Sequence, residues 1–206
     1  MAVDLKKGAK VSLAKAAADA GITTPLTKVA IGLAWDPQVA TGQDFDLDGS
    51  VFMVDVNNKT AEDRFVYYGL ASAAGKPFSS KDGSVHHSGD NRKGDAAGDD
   101  EVITIDLNAV PADVDKLVVV VTIHDAKARN QTFGQVNNAK ATLYDVSNGA
   151  PVELLKYELN EDMSNDTAVH VCSLYRKDGE WKFDAAGAGQ VEGLDAICRV
   201  FGLDVA

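Results

Sequence analysis

The chain has 206 residues, 45% of them hydrophobic, and a formal charge of −11. That length accommodates one all-β domain, or at most two small ones, with a sizeable core. The acidic balance argues against a nucleic-acid surface, which needs clustered Lys and Arg over phosphates, and against electrostatic docking on an anionic membrane leaflet. An acidic surface attracts cations and basic partners, although solubility alone also accounts for a net negative charge. Cys172 and Cys198 form no CxxC pair and read as buried thiols rather than as a disulfide. The N-terminal Met1-Ala2-Val3-Asp4-Leu5-Lys6-Lys7 has no apolar signal core, and no run approaches the ~20 apolar residues of a spanning helix. A soluble cytoplasmic protein is expected, one that reaches a membrane only through a partner.

Taken in order, Val11-Ser12-Leu13 reads as a short strand after the turn at Lys7-Gly8. Residues 14–20 have helix-forming composition that Gly21 and Pro25 cut short. Residues 29–35 read as a strand closed by Asp36-Pro37, because Pro37 disfavours the α region at Asp36. The acidic turn Asp44-Phe45-Asp46-Leu47-Asp48-Gly49 then runs into a strand at 50–56. Residues 64–68 are aromatic and β-branched, as strands are. Residues 71–88, with Gly75, Pro77 and Gly83, read as a long loop. A second acidic turn spans 89–101 and leads into a strand at 102–107, where Ile103, Ile105 and Leu107 share one face. Residues 117–123 are apolar without alternation and rich in β-branched side chains, which predicts a central strand buried on both faces. Further strands are predicted at 139–146, at 154–159, and at 168–175 and 181–183 on either side of Asp178-Gly179. An Asp-Gly pair there predicts a tight hairpin, because Gly tolerates the positive φ of a type I′ turn. One helix is predicted near the C-terminus, over 191–201, with Gly202 as its cap. The prediction is a single domain, 1–206, dominated by β structure: an antiparallel β-sandwich with a short C-terminal helix and long acidic loops.

The two acidic turns carry the chemistry. The first matches part of an EF-hand loop, with Asp44, Asp46 and Asp48 at positions 1, 3 and 5 and Gly49 at 6. Against that reading, position 12 is Asp55 rather than Glu, the flanks are β-branched, and Phe45 and Leu47 are bulky. On a strand, Asp44, Asp46 and Asp48 share one face while Phe45 and Leu47 enter the core. Same-face neighbours then lie about 6.6 Å apart, at about 3.3 Å per residue. Two ligand oxygens on one Ca²⁺ lie at most about 5 Å apart, from metal–oxygen distances of about 2.3–2.6 Å. Two ions, or one ion completed by ligands from elsewhere, fit that spacing better than one ion on three successive acids.

The second turn offers side-chain oxygens from Asp90, Asn91, Asp95, Asp99, Asp100 and Glu101, and bends at Gly94 and Gly98 that expose carbonyls. Six to eight oxygens in a loop-built site favour Ca²⁺ over Mg²⁺, and Zn²⁺ is disfavoured where Cys and His are lacking. The competing reading is a pair of solvated Asp/Gly-rich loops built from Asx turns.

Residues 29–36, the run Gly42-Gln43-Asp44-Phe45-Asp46-Leu47-Asp48, and the stretch from Gly89-Asp90-Asn91-Arg92-Lys93-Gly94 through Gly98-Asp99-Asp100-Glu101 resemble the TerD family of bacterial tellurite-resistance and stress proteins. So do Phe133-Gly134-Gln135-Val136-Asn137-Asn138-Ala139, Leu174-Tyr175-Arg176 and Glu180-Trp181-Lys182-Phe183. The resemblance covers nearly the whole chain, and residues 71–88 match least. It departs from the family pattern at Ala96-Ala97, where a third Gly is usual, and at Gly49, where Ala is common. It implies a cytoplasmic Ca²⁺-binding sandwich with two neighbouring ions. The implied partners are other Ter proteins and an integral membrane Ter protein. With Asp36 added, the candidate ligand set is Asp36, Asp44, Asp46, Asp48, Asp90, Asn91, Gly94, Asp95, Asp99, Asp100 and Glu101.

The leading expectation is a non-enzymatic calcium-binding module that scaffolds a stress-response complex. The alternative is a metal-dependent hydrolase with a dinuclear carboxylate site, although no nucleophile elbow or phosphate loop accompanies the acids. A calcium-dependent carbohydrate-binding sandwich would use Trp35 as an exposed aromatic, although core packing is the favoured reading of that residue. Direct tellurite reduction is disfavoured, since the cysteines lack a redox motif.

Overall fold

The computed structural model describes residues 2–36, 45–69, 78–92, 94, 98–159 and 165–204. Among these, alternating apolar residues build two facing sheets. The first runs in the order β1 (Val3–Leu5), β10 (Val152–Glu158), β9 (Asn137–Asp145), β3 (Lys28–Asp36), β7 (Glu101–Asp106) and β6 (Val85–His87). The second runs β2 (Lys10–Ser12), β12 (Glu180–Asp184), β11 (Ala168–Lys177), β8 (Lys116–Ile123), β4 (Leu47–Val54) and β5 (Phe65–Val66), with β13 (Ala188–Gln190) also on β11. Pairing is antiparallel except between β1 and β10. This is the predicted β-sandwich.

The space between the sheets is filled by side chains of one parity from each strand. Val29, Ile31, Leu33 and Trp35 of β3 meet Leu47, Val51 and Met53 of β4 and Val119 and Val121 of β8 in one apolar cluster. The opposite parity of the second sheet, Phe52, Val54, Val118 and Val120, is covered by Ile197 and Cys198 of α3 (Leu194–Val200) and by Leu203. That second layer explains why β8 reads as an unbroken apolar run: it lies between β4 and β11 with both faces buried. Both cysteines are free and buried, as expected. No helix among the described residues is long and apolar enough to cross a membrane.

Three local outcomes differ from the sequence reading. Residues 13–19 form α1 (Leu13–Asp19), which takes in Leu13 because the Ser12 hydroxyl accepts from the Lys15 N–H at 3.3 Å and caps the helix. The C-terminal helix starts later than predicted. Gly193 is extended at its N-terminus and Val191 is exposed, while Gly202 follows the last turn at φ +88° as expected. Part of the stretch read as a loop, Val85–His87, is strand β6, with Val85 and His87 buried beside β7. The Asp178-Gly179 hairpin forms as predicted, with φ of +57° and +77° at its two turn residues.

Candidate metal centre

The first acidic turn is anchored by what lies between its acids. Phe45 and Leu47 are fully buried, and the Trp35 indole N–H donates to the Phe45 carbonyl at 3.3 Å. The His124 N–H donates to the Asp46 carbonyl at 2.8 Å and continues the β4–β8 ladder past Leu47↔Ile123. With the apolar side chains held inward, Asp46 and Asp48 face away from the space between the sheets, on the parity of Ser50, Phe52 and Val54. The second turn reaches across to them. Carboxylate oxygens of Asp46, Asp48 and Asp90 all lie within 4.8 Å of one another. That separation matches ligand atoms on one Ca²⁺.

The environment of this group is costly for bare anions. Burial, then the neighbouring Asp46, Glu101 and Asp90, pushes the Asp48 carboxyl up to about 8. Burial and Asp90 raise Asp46, opposed by His124, Arg129 and Arg92. One oxygen of Asp46, Oδ1, is buried with no hydrogen-bond partner. A buried carboxylate oxygen left so is expensive unless a cation occupies the space it faces. Three cationic or ionisable side chains stand nearby. Arg92 Nε donates to Asp90 Oδ2 at 2.9 Å, Arg129 Nη1 is 4.0 Å from Asp46 Oδ2, and His124 Nδ1 is 3.5 Å from Asp48 Oδ2. The residues therefore fit a hard divalent cation, with oxygen donors, negative charge and an unfilled lone-pair site.

The other candidates are placed differently. Asp44 and Asp95 lie outside the described residues. Asp36 accepts a hydrogen bond from the Asn138 side chain at the end of β9. Asp99 and Asp100, adjacent in sequence, part company. Asp100 Oδ2 accepts from the Trp35 N–H at 3.0 Å, while Asp99 lies over Gly32 of β3 and hydrogen-bonds Tyr144. A Cβ at Gly32 would overlap the Asp99 carboxylate. Burial, then Asp99, pushes the Tyr144 hydroxyl up to about 12.

Asn91 braces its own loop, its Oδ1 accepting from the Gly94 N–H at 3.3 Å and its amide donating to Asp100 Oδ1 at 3.3 Å. Gly94 is buried at φ +62° against the Trp35 ring, where a Cβ would overlap the indole. Glu101 is wholly buried and faces the space between the sheets with Ile103 and Ile105. Trp35, the aromatic considered for sugar stacking, is a core residue at 4% exposure.

Sequence reasoning missed Arg92, Arg129 and the approach of His124 to Asp48. His124 Nε2 lies 3.6 Å from its chain neighbour Asp125, a first contact that adjacency alone supplies. The signal for the second contact was the register. Once β8 is set beside β4, residue 124 follows Ile123 past Leu47 and arrives beside Asp46.

The TerD domain profile matches residues 1–201. Over 205 residues, covering 99% of each chain, the protein is 45% identical to "Tellurium resistance protein TerD" of Serratia marcescens. It is also 45% identical over 208 residues, covering 100% of each, to "General stress protein 16U" of Bacillus subtilis. In fold it is similar, at a TM-score of 0.67 and 22% identity, to the crystal structure of a homologue of the telluride resistance protein TerD from Streptomyces coelicolor, covering 87% of this chain and 100% of that one. A full-length family match and relatives of this identity lead to one conclusion: the chain belongs to the TerD family of tellurium-resistance and stress-response proteins.

Proposed function

We propose that this TerD-family protein is a non-enzymatic calcium-binding module of the cytoplasm, acting in the tellurium-resistance and stress response. The observation that carries the reading is the convergence of Asp46, Asp48 and Asp90 within 4.8 Å, with Asp46 Oδ1 buried and unpartnered. These three carboxylates hold the ion. Bound Ca²⁺ supplies positive charge that neutralises them and joins the start of β4 to the second acidic turn. Arg92 and Arg129 moderate the repulsion in the metal-free protein. A second ion, expected from the sequence, draws on acids outside this trio. In this reading the module's output is a protein contact, a scaffold for other Ter proteins and through them for a membrane-resident partner.

Calorimetric titration of metal-free protein with Ca²⁺ and Mg²⁺ tests the reading. Saturable Ca²⁺ binding, tighter than Mg²⁺ and lost in Asp48→Asn, is the expected result. No binding heat in the unaltered protein would remove the central claim. Co-purification with a Ter-family partner in Ca²⁺ but not in chelator tests the scaffolding role.

A further inference from the structure

Glu101 sits where a core side chain belongs. It begins β7 on the parity of Ile103 and Ile105, is 0% exposed, and pairs across the sheet with Leu33. A carboxyl group in such a place needs donors around it. Its Oε2 accepts from the Gly49 N–H at 2.7 Å, and its Oε1 from the Asn91 N–H at 3.4 Å. Gly49 follows Asp48 and Asn91 follows Asp90, so one carboxylate grips the residue next to a metal-facing acid on each of the two segments. The side chain of His87, also 0% exposed, packs beside the same Oε2 and near Gly49. Its Nδ1 accepts from the Gly89 N–H at 3.0 Å, which leaves the ring proton on Nε2, 3.2 Å from Glu101 Oε2 though not aligned for a hydrogen bond. Glycine at 49 makes the space: a Cβ there would stand 3.0 Å from Glu101 Oε2 and 2.7 Å from Leu33 Cδ1.

We propose that Glu101, packed against His87, is a positioning residue whose buried carboxylate clamps the backbone of β4 to that of the 89–101 turn and so sets the separation of Asp48 and Asp90. It acts from the inner side of the sheet, opposite the side on which the acids meet. Its role is distinct from ligation, and the inference rests on the calcium reading of the Asp46, Asp48 and Asp90 group. Partners of this kind, one step behind the ligands, change metal affinity by about 10–100-fold when removed.

The test is Ca²⁺ titration of the unaltered protein, Glu101→Gln, His87→Gln, and Leu143→Ala as a core-destabilised control on β9. The number of inner-sphere waters is counted in parallel on bound Tb³⁺ from luminescence lifetimes in H₂O and D₂O. The expected result is Ca²⁺ binding weakened about 10–100-fold in Glu101→Gln with the water count unchanged. A smaller loss is expected in His87→Gln, and none in Leu143→Ala once folded. If Glu101→Gln does not fold, the His87→Gln titration decides. Unaltered affinity in a folded Glu101→Gln protein, or in His87→Gln where that comparison decides, would overturn the clamp. So would an added inner-sphere water, which makes Glu101 a ligand. Absence of binding by the unaltered protein would instead overturn the calcium reading, and the clamp with it.

Discussion

Replacing Asp48 by Asn should stabilise the metal-free protein and abolish its response to calcium, two effects of opposite sign from one substitution. The native carboxyl is moved from its usual 3.8 to about 8, chiefly by burial and then by Asp46, Glu101 and Asp90. At about 1.36 kcal/mol per pKa unit, ionising it in the folded chain costs on the order of 5 kcal/mol relative to the unfolded one. The sign follows from proton counting. Between 3.8 and about 8 the native state binds the extra proton, so the stability of the metal-free protein falls as pH rises through that window.

Asparagine removes the charge but leaves a buried amide, worth about 1–3 kcal/mol of desolvation. The net gain at pH 8 in chelator is therefore about 2–4 kcal/mol. For a chain of this size that raises Tm by roughly 5–15 °C, at about 2–4 °C per kcal/mol. At pH 5 the native carboxyl already carries its proton and the gain falls close to zero. Calcium at 100 times Kd should add about 2.7 kcal/mol per site to the unaltered protein and far less to Asp48→Asn. Thermal melts at pH 5 and 8, each with chelator and with Ca²⁺, check all four values. A variant that melts below the unaltered protein in chelator at pH 8 would refute the reasoning.

Calcium binding at pH 7 should expel about one proton per ion from the Asp48 site, because the bound state requires the carboxylate. Titration heats in buffers of different ionisation enthalpy measure that number, and affinity should climb as pH rises toward 8. Gly32→Ala should displace Asp99 from the notch over β3 and lower stability by about 1–3 kcal/mol. Calcium affinity should stay within about two-fold in that variant, since Asp99 stands outside the Asp46, Asp48 and Asp90 group; a large fall would make Asp99 a ligand. Gly94→Ala combines a positive φ with overlap on the Trp35 ring, and should cost about 2–4 kcal/mol in denaturant unfolding.

How much of this was legible in the sequence depended on the range of the forces involved. Period-two patterns gave the sandwich, because each strand buries one parity whatever its partner is. The uninterrupted run of β8 was readable for the same reason, although nothing local said that α3 would cover its second face. Helix α1 was obscured because the cap at Ser12 turns on a single hydroxyl next to a residue, Leu13, that suits a strand equally well. The alternation Phe45, Asp46, Leu47, Asp48 correctly put the apolar pair in the core.

The second turn was less legible. Its acids were grouped by proximity along the chain, yet only Glu101 lies within β7, and the acids just before it follow no strand alternation. Asp99 goes over β3, Asp100 to the Trp35 N–H, and Glu101 between the sheets. The parity of Ile103 and Ile105 already implied an inward Glu101. What could not be read was the donor set that makes such burial tolerable, since it comes from the backbone N–H of Gly49 on β4 and of Asn91 ten residues back along the turn.

The most direct measurement is an anomalous difference map from crystals of the protein grown metal-free and then soaked in Tb³⁺ as a calcium substitute. The account predicts a peak bounded by the carboxylates of Asp46, Asp48 and Asp90, with Glu101 one step behind it on Gly49 and Asn91. Strong peaks only at other acids, with these three carboxylates still bare, would contradict it.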